Sequence, residues 1–94
     1  MGLFGSETEE DKLRRSARKI LHEIYQLDSR IDKFRKLEEK CMANPAIGDP
    51  KDIAKEIVAT EQRKIDLEKQ LEAIDQRIVE DELAVVQKQY RKAA

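Results

Sequence analysis

The sequence predicts an all-α fold: an antiparallel two-helix coiled-coil hairpin that assembles as a dimer into a four-helix bundle. Three observations predict it. Charged residues make up 41% of the 94 and aromatic residues 4%, with three Gly and two Pro. That composition favours straight-chain helix formers and is too poor in turn residues for a succession of β-strands. Apolar residues recur at alternating intervals of four and three along two long stretches, which is the heptad seam of packed helices. The interior turn chemistry lies at Asn44-Pro45-Ala46-Ile47-Gly48-Asp49-Pro50, between those stretches.

Residues 1–6 hold two glycines and the apolar pair Leu3 and Phe4, and read as a flexible tail ahead of the hairpin at 7–94. Ser6-Glu7-Thr8-Glu9 has the form of a capping box, with Thr8 and Asp11 as a competing register. The first helix is expected over about 7–43. Its seam runs Leu13, Ala17, Ile20, Ile24, Leu27, Ile31, Phe34, Glu38 and Cys41. It ends before Asn44 because Pro45 disfavours helical geometry in the residue preceding it.

The turn occupies 44–49, and the second helix is expected over about 50–92. Asp49 is placed to cap it, Pro50 sits where a missing N–H costs nothing, and Asp52 meets the positive end of the helix dipole. Its seam runs Ile53, Ile57, Thr60, Lys64, Leu67, Leu71, Ile74, Ile78, Asp81 and Val85, with polar intruders at Thr60, Lys64 and Asp81. Folding the chain about residue 47 sets Ile31 opposite Lys64 and Phe34 opposite Thr60. Lys64 is then expected to run its stem past Ile31 and extend its ammonium to water.

The charge balance bounds the partners. Nineteen basic and twenty acidic residues leave a net charge of −1, which gives no general attraction to nucleic acid or to an anionic membrane. No nucleic-acid partner is expected. Lys12, Arg14, Arg15, Arg18 and Lys19 form a dense basic run. Antiparallel pairing lays it beside Asp75, Glu80, Asp81 and Glu82, so interhelical ion pairs are expected to absorb most of its charge. The single cysteine fits a reducing compartment, and Cys41 reads as a small apolar filler. No apolar run approaches the roughly 20 residues of a membrane span, so the expected location is cytoplasmic.

Nothing in the spacing points to catalysis. His22, the one histidine, falls on the outer face of the first helix with Tyr25 and Gln26 at the positions where a metal would need ligands. The sequence holds no glycine-rich phosphate loop and no nucleophile beside a base. The expectation is a non-enzyme without cofactor or metal. At the turn, Ala46-Ile47-Gly48 stands where the WXG family of small hairpin proteins carries Trp-x-Gly, so the similarity to that family is one of outline.

The functional expectation comes from apolar residues the hairpin seam does not use. Val79, Leu83, Val86 and Tyr90 are spaced four, three and four apart, a second stripe about 150° around the helix from the first when each residue advances about 100°. Leu21 and Tyr25 lie off the seam of the first helix, as do Val58 and Ile65 on the second. One partner helix cannot cover both stripes, and a hairpin of this size buries little surface alone. The reading is a protein–protein interaction module, an adaptor, small chaperone or assembly subunit, with a second copy or a helix of another protein on that stripe. The alternative is a peripheral membrane module. It would use Leu3, Phe4, Arg14, Arg15, Arg18 and Lys19, with Met1-Gly2 and Ser6 in the pattern of an N-myristoylation site.

Overall fold

The computed structural model describes residues 7–93. Thr8, in extended geometry, opens helix α1 (Glu9–Ala43, 35 residues). Its Oγ1 accepts from the Asp11 N–H at 3.1 Å, and the Asp11 carboxylate accepts the Thr8 N–H at 3.4 Å. This reciprocal cap satisfies two otherwise orphaned donors. The Thr8 register sets the start, so α1 begins at Glu9 rather than 7, and Glu9, Glu10 and Asp11 occupy the positive end of its dipole. Ser6 lies outside the described residues.

α1 stops where Pro45 requires it. Asn44 leaves the helical region at φ −141°, ψ 94°, while its N–H still donates to Lys40 O at 2.9 Å. Its side-chain oxygen then accepts from Ala46 N at 3.2 Å and its carbonyl from Ile47 N at 3.1 Å, which turns the chain. Asp49 Oδ1 accepts from Lys51 N at 2.9 Å and so caps helix α2 (Pro50–Ala93, 44 residues). Among the described residues none has a positive φ. Nor does closeness demand a glycine at 48, since a Cβ there would lie 3.5 Å from Cys41 Sγ, an ordinary contact distance.

The expected seam is the interface. Ile24, Ile31, Cys41, Ile57, Thr60 and Leu67 are buried, and Leu13, Ala17, Ile20, Leu27, Phe34, Leu71, Ile74 and Ile78 are half-buried. The polar intruders are accommodated. Thr60 Oγ1 donates to the Glu56 carbonyl of its own helix at 2.7 Å. Lys64 reaches out of the seam, and its ammonium lies 2.5 Å from Asp28 Oδ1. Asp81 lies 3.5 Å from Arg77 Nε on the same helix.

Two expectations are corrected. Val85 is 56% exposed and belongs to no seam. Ion pairs from Arg14 to Glu82 and from Arg35 to Glu61, both 2.9 Å, fix the register. They set Val85 against the acidic first turn of α1, which supplies no apolar partner. The basic run also pairs less across the helices than expected. Arg14 bridges to Glu82 and to Glu10, whereas Arg15 bonds Glu7 on its own side. Lys12, Arg18 and Lys19 enter no ion pair among the described residues.

The result is a rod 72 Å long. Its radius of gyration, 21.3 Å, far exceeds the about 12 Å of a compact chain this size. No described helix is long and apolar enough to cross a membrane.

Candidate interaction surface

Heptad positions order the outer surface. With Ile57 at position a and Thr60 at d of α2, and Ile24 at a and Leu27 at d of α1, the e and b columns of both helices share one broad side of the rod. A shallow groove confirms the placement, being lined by Asp28, Asp32 and Arg35 of α1 and by Glu61, Ile65 and Glu68 of α2, with Ile31 and Lys64 at its floor. A neighbouring depression continues it toward the turn past Glu39, Ala54 and Val58. The opposite side carries the g columns, where Arg63 bonds Glu23 at 3.4 Å.

The residues singled out from sequence all lie in the open. Leu21, Tyr25, Val79, Leu83, Val86 and Tyr90 are exposed, Leu83 at 53% and Tyr90 at 75%. The four on α2 do form one strip, Val79 and Val86 in column b and Leu83 and Tyr90 in column f beside it. Leu21 and Tyr25 occupy columns e and b of α1, on the same broad side as Val79. Leu3 and Phe4 lie outside the described residues. Arg14 and Arg15 are engaged in ion pairs, and Arg18 and Lys19 are exposed.

Val58 and Ile65 stand in the same b column as Val79 and Val86 and are likewise exposed, so the strip extends toward the turn. Their spacing was the available signal. Positions 58, 65, 79 and 86 fall on one heptad grid, interrupted by Glu72. Val85 adds a further exposed apolar side chain at the open end.

Electrostatically, two groups depart from their ordinary state. The hydrogen bond that the Lys64 ammonium donates to Asp28 raises it above the usual lysine value of 10.5, against a lowering by partial desolvation, and the Asp28 charge adds to the rise. The hydrogen bond and charge of Glu10 likewise raise the Arg14 guanidinium. In both cases a carboxylate beside the cation is the cause, on the other helix for Lys64 and on the same helix for Arg14. Cys41 is a free thiol, 1% exposed. His22 Nε2 lies 3.2 Å from Gln26 Nε2 on the outer face of α1, and the described residues hold no cluster of His, Cys, Asp and Glu able to take a metal.

Compared with known proteins, the chain matches no protein-family model, and neither a curated protein nor a solved structure resembles it significantly.

Proposed function

We propose that this chain is a non-catalytic helix-packing module that acts by self-association, as an assembly subunit, adaptor or small chaperone. The observation that carries the reading is the exposed strip of Val79, Leu83, Val86 and Tyr90 on α2, beside a hairpin core too narrow to cover it. A second hairpin laid on the strip makes a four-helix assembly. Each fully covered side chain of this kind then contributes about 1.5–3 kcal/mol. The test is solution mass by light scattering behind a sizing column. The wild type is expected above 10.9 kDa, and Leu83→Glu with Val86→Glu is expected to bring it down to that mass with helicity unchanged. An unchanged mass in the double variant overturns the assignment of the strip.

A peripheral membrane role is the second reading, supported by Arg18 and Lys19, which stand exposed and without ion-pair partners among the described residues. Flotation with anionic liposomes at low salt separates the two, because a protein that stays at the bottom of the gradient has no such role.

A further inference from the structure

Two stripes of the rod, one on each helix, are each of a single sign. Between residues 58 and 86 of α2, columns e and b carry Glu61, Glu68, Glu72, Asp75 and Glu82 and no base, interleaved with the exposed Val58, Ile65, Val79 and Val86; Lys51, at the turn end of column b, lies outside this stretch. On the outer back of α1, columns c and f carry Lys12, Arg15, Lys19, Lys33, Lys36 and Lys40 and no acid. Both stripes run the same distance, residues 58–86 and 12–40, about 42 Å of helix each. Within the hairpin they cannot neutralise one another, because they lie on different sides. Among the described residues, Glu68, Glu72 and Asp75 enter no ion pair, and neither do Lys12, Lys19, Lys33, Lys36 and Lys40.

We infer that copies of this chain associate face to back, the acidic and apolar stripe of α2 in one copy receiving the basic back of α1 in the next. The inference rests on the self-association reading and specifies its geometry. Lysine is the side chain such a contact calls for: its aliphatic stem covers the valine and isoleucine column while its ammonium reaches the flanking carboxylates. A two-fold contact of the α2 stripe with itself would instead set Glu68, Glu72 and Asp75 against like charge, which disfavours the isologous dimer. Because the two contacting surfaces differ, each added copy leaves one stripe of each sign free. The association therefore repeats unless rotation closes it into a ring.

Charge reversal tests it. The wild-type mass is expected to grow with concentration beyond two copies, and to fall toward 10.9 kDa when salt rises from about 0.05 M to about 0.5 M and the Debye length shrinks several-fold. One variant reverses the acidic stripe (Glu68→Lys, Glu72→Lys, Asp75→Lys), and another the basic one (Lys19→Glu, Lys33→Glu, Lys36→Glu). Each alone is expected to run as a helical monomer by circular dichroism and mass. An equimolar mixture is expected to recover the large species, since each supplies the stripe the other needs. A control with Glu56→Lys, Asp66→Lys and Glu80→Lys has the net charge of the first variant but leaves both stripes intact, and keeps the wild-type behaviour.

Failure of the mixture to reassemble overturns the inference, as does a control that dissociates. A wild type that stops at two copies and ignores salt also overturns it, while leaving self-association standing. A mass of 10.9 kDa at every concentration removes both, and hands the acidic stripe to a basic helix of another protein.

Discussion

Gly48 is a turn glycine whose conformation any residue could adopt, since its φ is not positive. A Cβ there would meet Cys41 Sγ at 3.5 Å, an ordinary van der Waals distance. Gly48→Ala is therefore expected to leave the fold intact and to stabilise it by about 0.4–1 kcal/mol through lost freedom in the unfolded chain. Thermal melts check this, and a fall in Tm would show that the turn needs the missing side chain. Lys64 gives a pH dependence. Its value is raised on folding by Asp28, so its contribution is fully present below the unfolded value of 10.5 and is lost as pH rises through the higher folded one. The difference in Tm between wild type and Lys64→Met should shrink as pH is taken above 10.5; a constant difference across that range counts against the Asp28 bond. At this scale the sequence was informative where chemistry is local. The Pro45 stop, the Asp49 cap and the apolar character of Cys41 all follow from neighbours in the chain. For Lys64 the sequence implies only an ammonium that leaves the seam for water; its partner, Asp28, lies on the other helix, beyond the reach of local chemistry.

Each helix was legible as far as its partner extends. The alternation of four and three fixes which columns face inward, and every position from Leu13 to Cys41 and from Ile53 to Asp81 that it selects is buried or half-buried. Val85 continues the same rhythm, but periodicity within one helix carries no information about what the other offers opposite it, here the acidic first turn of α1. The two residues thus predict a contrast. Leu67 is 2% exposed, and Leu67→Ala should cost about 2–5 kcal/mol of stability. Val85→Ala, at 56% exposure, should cost within about 0.5 kcal/mol in the dissociated hairpin. Denaturant melts at low protein concentration compare them directly, and equal losses would place Val85 back in the core. Ion pairs were the least legible feature. The long side chains of the basic run choose among several carboxylates within reach, and such exposed pairs differ by only about 0–1 kcal/mol. Thus Arg15 turns to Glu7 and Asp81 to Arg77, rather than across the interface.

For the whole molecule, the outward heptad columns decide what is left uncovered, because a single partner helix covers only one seam. α1 has 35 residues and α2 has 44, but in the Arg14–Glu82 register only the last residues of α2, Tyr90 among them, pass the start of α1; Leu83 and Val86 are exposed because columns f and b face away from it. That is why Leu83→Glu and Val86→Glu are expected to change the mass of the assembly without unfolding the hairpin. The exposed apolar strip could be recognised from sequence because it exceeds what one seam can use. The two stripes of single sign could not be recognised from net charge, which averages to −1. They emerge only once the seam orients both helices.

Of the buried side chains, Ile31, Cys41, Ile57, Thr60 and Leu67 lie in the half of the rod nearer the turn and Ile24 near its middle. The opposite end is held by half-buried contacts and the Arg14 to Glu82 bridge. Such a distribution makes the hairpin a zipper with one sewn end. Amide protons near the turn exchange with solvent only when the whole molecule opens, whereas those of the first turns of α1 and the last turns of α2 are released by fraying that leaves the core in place. The end that bears the exposed strip is then also the end that opens first, so the proposed docking there would bind and fasten the hairpin in one event.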